Sequence, residues 1–581
     1  MKSFLKSTLA AACGVLLVFV VTFMFFGAII SAIASAGEGT PTIPAEGVLK
    51  IDMSSINITE QQKESDPMEM LAGGSSTATI GIWNAVNAIN TAATDPAIKY
   101  IYLLADGSMA SSTTLEELRA SLSNFKNSGK PIIAYTESPS TGSYYLASVA
   151  DKIYMTSYQG ASAMVTGVSS QMIFLGDLLN RLGVNMQLVR YGKYKSAGEM
   201  YTRSSSSAEN REQYQRLVDS MWESMSGEIA ESRGMSVETL DKYIDNIELN
   251  LPEDFLRCGM VDSLYTREQL QNQLAVLAVK EDYKDVEMIS FADYAAAKAP
   301  VSNAKKSIAI IYADGEIVDG SDAQQIGGDR FAKLIEKARR DSTVKAVVLR
   351  VNSPGGSVLA SEKIKHELDL LGEVKPLVAS YGSYAASGGY WISNNCDKIF
   401  TNKTTLTGSI GVFGLIPDVS GTLKNIAHVN IESVNSHRHS DMLNGMRPFN
   451  EAEHNYMYRS IDNIYKLFLA TVSEGRGITE AEVDAIGQGR VWTGSDALGI
   501  DLVDEVGTLE DALLYTASIA GDPELRNWNI TSYPKPRTSL EALMSLLGQE
   551  PEEEVSIIKA LEEVAEPTVV ARIDSNIEIK L

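Results

Sequence analysis

Lys130-Pro131-Ile132-Ile133-Ala134, then Tyr144-Tyr145-Leu146, then Asp151-Lys152-Ile153-Tyr154: the same order of segments returns as Lys375-Pro376-Leu377-Val378-Ala379, Tyr390-Trp391-Ile392 and Asp397-Lys398-Ile399-Phe400. The spacing is 245 residues for the first pair (130 to 375) and 246 for the last (152 to 398). Upstream, Asp95 with Lys99-Tyr100-Ile101-Tyr102-Leu103 is answered by Asp341 with Lys345-Ala346-Val347-Val348-Leu349. Downstream, Glu231-Ser232-Arg233-Gly234-Met235-Ser236 is answered by Glu474-Gly475-Arg476-Gly477-Ile478-Thr479. A register held over so many segments marks a tandem duplication, with one unit over 47–290 and another over 306–535. Short β-branched runs such as Ser307–Tyr312 and Ala346–Val351 predict buried strands, and Phe331, Leu334, Ile335 and Ala338 recur at helical spacing between them. That alternation predicts an α/β fold with parallel strands and crossover helices in each unit. The boundary near 297–306 is rich in Ala, Lys and Pro.

Outside the repeats the chain changes character. No charged side chain occurs between Lys6 and Glu38, and Leu9–Ala34 is apolar, long enough for a bilayer that needs ~20 residues. The length predicts a retained anchor over 7–36 rather than a cleaved leader, although Ala34-Ser35-Ala36 has the form of a cleavage site. Lys2 and Lys6 before the span place residues 1–6 in the cytoplasm and export the chain beyond the linker 37–46. After Pro536 an apolar-acidic tail, 536–581, carries Glu552-Glu553-Glu554 as a solvated charge run. With 50 basic against 74 acidic residues the chain carries a formal charge of −24, which repels phosphate backbones and excludes nucleic acid as a partner. Three cysteines, one of them Cys13 in the apolar run, allow at most one intramolecular bridge.

Several segments carry residues able to do chemistry. A strand runs into Asn352-Ser353-Pro354-Gly355-Gly356-Ser357, and paired glycines at such a turn let backbone N–H groups approach an oxyanion. A Pro-Gly-Gly turn is more often only a turn. Another strand ends in Gly382-Ser383-Tyr384-Ala385-Ala386-Ser387-Gly388-Gly389, where Ser387 is either a nucleophile or a plain helix N-cap, with Ser383 and Ser353 as competing hydroxyls. The five histidines, His366, His428, His437, His439 and His454, fall in no triad motif, and His437-Arg438-His439 lacks further metal ligands at a usual spacing. A lysine whose charged form is disfavoured by burial is the other base available to a serine. Two candidates, Lys193 and Lys195, follow the apolar strand ending Gln187-Leu188-Val189; residue chemistry alone does not choose between them.

Taken together, Asn352–Gly356, Ala385-Ala386-Ser387-Gly388-Gly389-Tyr390, Thr407-Gly408-Ser409-Ile410-Gly411 and Tyr194-Lys195-Ser196-Ala197 resemble the signal peptide peptidase A (protease IV) family in its long duplicated bacterial form, over nearly the whole chain. The resemblance implies a tandem pair of ClpP/crotonase-like units. It implies Ser387 as nucleophile, Lys195 as general base, Ser409 assisting the lysine, and Gly355, Gly356 and Gly388 around the oxyanion. It further implies a single-pass protein of the bacterial inner membrane with its catalytic part on the periplasmic side, held to lipid by the anchor. Cleaved signal peptides as substrates, a homotetramer, and no cofactor or metal complete the expectation. In the first unit Thr141 or Gly142 stands where Ser387 stands in the second, Leu103–Met109 replaces the glycine turn, and Lys195 answers His439 (195 to 439, 244 apart). One dyad is therefore expected across the two units. Two rival readings are a crotonase-like acyl-CoA enzyme, opposed by the anchor and export, and a catalytically dead membrane scaffold, opposed by intact Ser387 and Lys195.

Overall fold

Parallel strands buried on both faces must be largely apolar, and two strands of that kind, Ser307–Asp314 and Val344–Ser353, pair side by side with one register shift at Ser307. The computed structural model describes residues 14, 41–62, 77–300, 302, 304–322 and 324–535, with the backbone of Thr568–Arg572 and Ile579–Lys580. Around those runs a parallel ladder forms in the order Asn529–Tyr533, Ser307–Asp314, Val344–Ser353, Leu377–Ala386, Lys398–Thr401, Glu505–Val506. The first unit builds its own parallel ladder in the same order, from Met288–Ser290, Gly47–Asp52, Ile98–Leu104, Ile132–Thr136, Lys152–Thr156 and Ser263–Tyr265. The duplication seen in the sequence is thus repeated strand for strand in the topology. The helix expected from Phe331 to Ala338 spans Gly328–Arg340 and buries Phe331, Ile335 and Ala338.

The units are not separate beads. One apolar cluster contains Leu49, Ile51 and Ile101 of the first unit with Ile308, Ile310, Val348, Val378 and Phe400 of the second. Across the seam Arg350 bonds Glu117 at 2.6 Å and Glu60 at 2.7 Å, with the three side chains almost wholly buried. Asn402 adds a bond to Glu117 at 3.0 Å. A third sheet mixes the units outright, running Ile326–Gly327, Ile317–Val318, Gly355–Ser357, Thr568–Arg572, Val412–Asp418, Asn185–Tyr191. Its last pair is antiparallel and joins Asn185–Tyr191 of the first unit to Val412–Asp418 of the second.

The anchor expected over 7–36 lies, Gly14 apart, outside the described residues, as do the N-terminus 1–6 and most of the tail. Among the described residues no helix is long and apolar enough to cross a membrane. Cys258 and Cys396 are buried free thiols.

Candidate active site

The strand Leu377–Ala386 is twice the length of its counterpart Ile132–Thr136, and its extra half pairs with Leu406–Gly408. That extension delivers Ser387 into a buried turn ahead of the helix Gly388–Ser393. Ser387 has φ 56° and ψ −113°, a conformation that costs a non-glycine residue roughly 1–3 kcal/mol and persists only where its surroundings hold it. Here the Ser387 N–H donates to the Gly408 carbonyl at 2.9 Å and the Trp391 N–H to the Ser387 carbonyl at 2.8 Å. Although Ser387 occupies the N-cap position, its side chain makes no capping bond. The hydroxyl is instead 2.8 Å from Lys195 Nζ.

Lys195 arrives from the other unit. The strand Asn185–Tyr191, pinned along Val412–Asp418, ends at a turn that carries Lys195 inward until it is 1 % exposed. Its Nζ also donates to Ser409 Oγ at 3.0 Å and to the Ser409 carbonyl at 3.1 Å. Lys193, two residues earlier, is exposed and lies over the Tyr194 ring at 4.9 Å. Burial therefore separates the two lysines that residue chemistry left equal. Ser409 is held with φ 52° by its own N–H, which donates to the Arg490 carbonyl at 2.7 Å.

The glycine turn lies against the same helix start. Gly355 and Gly356 have φ of 103° and 152°, and a Cβ at 356 would stand 1.9 Å from the Ile317 carbonyl oxygen. Gly355 to Ser357 form a short strand against Ile317–Val318 and pack on the helix that Gly388 opens. The Gly355 N–H donates to Ser353 Oγ at 3.2 Å, so Ser353 supports the turn. Ser383 lies at the unit seam, 2.9 Å from both Thr113 and Ser111 hydroxyls. His439 Nδ1 is 2.8 Å from Glu453 Oε1, in an exposed segment. The first unit shows what stands in place of the serine. Tyr144 and Tyr390 make matching bonds to the carbonyls of Met260 and Leu502, which sets Thr141 opposite Ser387. The Thr141 hydroxyl accepts from the Thr166 N–H at 3.1 Å.

Two supports were not legible as site residues. A Cβ at Gly489 would come 2.5 Å from Lys195 Cβ, so this glycine, at φ 79°, lets the second unit press against the lysine backbone. Arg190 donates to the Lys195 carbonyl at 2.9 Å and to the buried Glu199 carboxylate at 3.1 Å. The Gly487-Gln488-Gly489 spacing was the available signal for the first; nothing local marked the second. A neutral amine at this distance from a buried hydroxyl is able to take its proton, and the nearby glycine amides offer donors for a developing oxyanion.

The model of Peptidase family S49 matches this chain twice, over 124–280 and 369–521. The first match contains Lys195 and the second contains Ser387, Gly388 and Ser409. The chain is 34% identical over 518 residues to "Protease 4" of Haemophilus influenzae, covering 86% of this chain and 83% of that one. It is 35% identical over 477 residues to "Protease 4" of Salmonella typhi (80% and 75% covered). To "Serine protease SPPA, chloroplastic" of Arabidopsis thaliana it is 30% identical over 467 residues (79% and 68% covered).

Proposed function

Since the chain belongs to peptidase family S49 and is a serine protease of the protease IV type, we propose that it hydrolyses peptides with a dyad of Ser387 and Lys195 through an acyl-enzyme. The observation that carries this reading is the 2.8 Å contact between Lys195 Nζ and Ser387 Oγ, both groups buried. Burial disfavours an ammonium and favours the neutral amine a base must be. Ser409, with its hydroxyl and carbonyl both within 3.1 Å of Nζ, aims the lone pair at Ser387. Lys195 takes the Oγ proton as Oγ attacks the peptide carbonyl, and the amides of Gly388 and the Gly355–Gly356 turn receive the oxyanion. Lys195 then hands the proton to the leaving amine, and water, activated by the same lysine, releases the acyl group.

The substrates we propose are apolar peptides of the signal-peptide kind, cut on the outer face of the bacterial inner membrane by a single-pass homotetramer. The apolar run Leu9–Ala34 and the motif resemblance are what support that setting. The test is a set of single substitutions assayed on a fluorogenic peptide and with a serine-reactive phosphonate. Ser387→Ala and Lys195→Ala are expected to lower kcat/KM by about 10⁴-fold or more, while Lys193→Ala keeps most activity. Wild-type activity is expected to rise with pH as Lys195 loses its proton and to be lost below that step. A dead Lys193→Ala, or a profile set near pH ~6.5 and removed by His439→Ala, would overturn the assignment of the base.

A further inference from the structure

The third sheet has a member that the reaction does not call for. Thr568–Arg572, from the far end of the tail, lies antiparallel between Gly355–Ser357 and Val412–Asp418. On one side Arg572, Ala571 and Val570 oppose Gly355, Gly356 and Ser357. On the other Val570, Val569 and Thr568 oppose Phe413, Gly414 and Leu415. Both walls belong to the site. One is the glycine turn itself, and the other begins three residues after Ser409. The helix opened by Gly388 lies against the tail strand as well. Without that strand the two walls would face each other across a gap one strand wide, about 10 Å between their axes, each with a row of unpaired main-chain donors and acceptors.

We infer that Thr568–Arg572 is an intramolecular competitor, seated in the channel through which an extended peptide passes to Ser387. The inference rests on reading Ser387 and Lys195 as the proteolytic site. A channel with a main-chain ladder on each side recognises backbone rather than side chains, and so accepts any extended segment without proline at the paired positions. Thr-Val-Val-Ala-Arg is such a segment, β-branched and free of acidic residues. The tail is fixed beyond the channel too, because Ile579–Lys580 pairs antiparallel with Ser169–Ser170 of the first unit. Those serines sit in Gly167-Val168-Ser169-Ser170, which answers Gly411-Val412-Phe413-Gly414 at a spacing of 244. The tail therefore lays a strand on the equivalent edge of each unit, and only the second unit has the serine beside it. Covalent attachment gives the strand a local concentration in the millimolar range, enough to hold off dilute free peptide.

Val570 faces both walls, and proline there removes the N–H and the extended pairing together. The decisive measurement uses full-length Ser387→Ala, which cannot cut its ligand, with and without Val570→Pro. A fluorescein-labelled synthetic peptide of residues 567–573 is titrated into each and followed by anisotropy. The double variant is expected to bind it about tenfold tighter or more, because its own strand no longer competes. In the Ser387-intact chain, Val570→Pro is expected to lower KM for a free peptide by a similar factor with kcat unchanged. Equal peptide affinity in the two Ser387→Ala chains overturns the inference, as does loss of activity in a folded Val570→Pro chain. Should Val570→Pro fail to fold, Val569→Pro, opposite Gly414, takes its place under the same criteria. Tighter peptide binding together with an active Ser387→Ala enzyme would leave the tail in its channel and overturn the dyad instead.

Discussion

A methyl group at position 489 would lie 2.5 to 2.7 Å from three atoms of Lys195, closer than any side chain tolerates, and the backbone there is left-handed as well. Gly489→Ala must therefore push Lys195 away from Ser387, and a displacement near 1 Å in a reacting group costs on the order of 10²-fold. The expected outcome is a kcat reduced about 100-fold together with a lowered melting temperature from the strained backbone, measured beside Gly499→Ala, whose Cβ would meet only one atom, at 3.5 Å. At this scale the sequence was half legible. Ser387 stood out through the small residues around it, but a plain N-cap fitted equally well until its unused capping geometry was seen. Lys195 and Lys193 were chemically equal, and only the fold buries one and exposes the other. Gly489 carried only the weak signal of the Gly487-Gln488-Gly489 spacing, because its role is to be near a residue almost three hundred positions away.

At the scale of elements, parallel strands were legible because burial on both faces forces apolar, β-branched composition; Ser307–Asp314 and Val344–Ser353 are of that kind. Of the third sheet only the strand ending Gln187-Leu188-Val189 was legible, since its partners pair across the two units and Gly355–Ser357 has turn composition. The segment following Val412–Asp418 is tied down by a charged cluster as well as by Leu443 and Phe449, which pack on the core. Glu453, 1 % exposed at the start of the helix Glu451–Arg476, accepts from Arg447 through two bonds of 2.7 Å and sits 2.8 Å from His439. Arg447, ahead of burial and the Asn450 N–H, sets the carboxyl pKa, which falls to about 2 from 4.5. A carboxyl lowered on folding stabilises the native state above its unfolded value, and that stabilisation is lost as pH falls from about 4.5 through about 2. Glu453→Gln is thus expected to cost on the order of 2–3 kcal/mol at pH 7, read by urea melts, with the difference from wild type closing toward pH 2. A penalty that stays constant with pH would place the effect in packing instead.

On the scale of the whole molecule the duplication explains why the proposed dyad draws one residue from each half. The repeat register, with the residue roles that the family resemblance implies, predicts one dyad shared between units, and the structure adds why the units stay together: a common core and the buried Glu60–Arg350–Glu117 group at the seam. Removing Arg350 leaves two carboxylates buried and facing each other, so Arg350→Ala is expected to cost about 3–5 kcal/mol and to lower activity by loosening the seam, as thermal melts and peptide assays on one preparation would show. The closing of the dyad is tested by mixing. Lys195 and Ser387 meet at 2.8 Å within one chain, and the strand that brings Lys195 is paired over its full length with Val412–Asp418 of that same chain. A full-length Ser387→Ala chain and a full-length Lys195→Ala chain, co-expressed and purified as mixed oligomers, then hold one broken member in every dyad. Their expected activity is no more than that of either variant alone, because covalent fusion keeps each lysine at high effective concentration beside its own serine. Exchange of Asn185–Tyr191 between neighbouring chains would instead rebuild a fraction of intact sites. Recovered cleavage in the mixture, with none in the separate variants, would show that the lysine crosses between chains while leaving both residue roles in place.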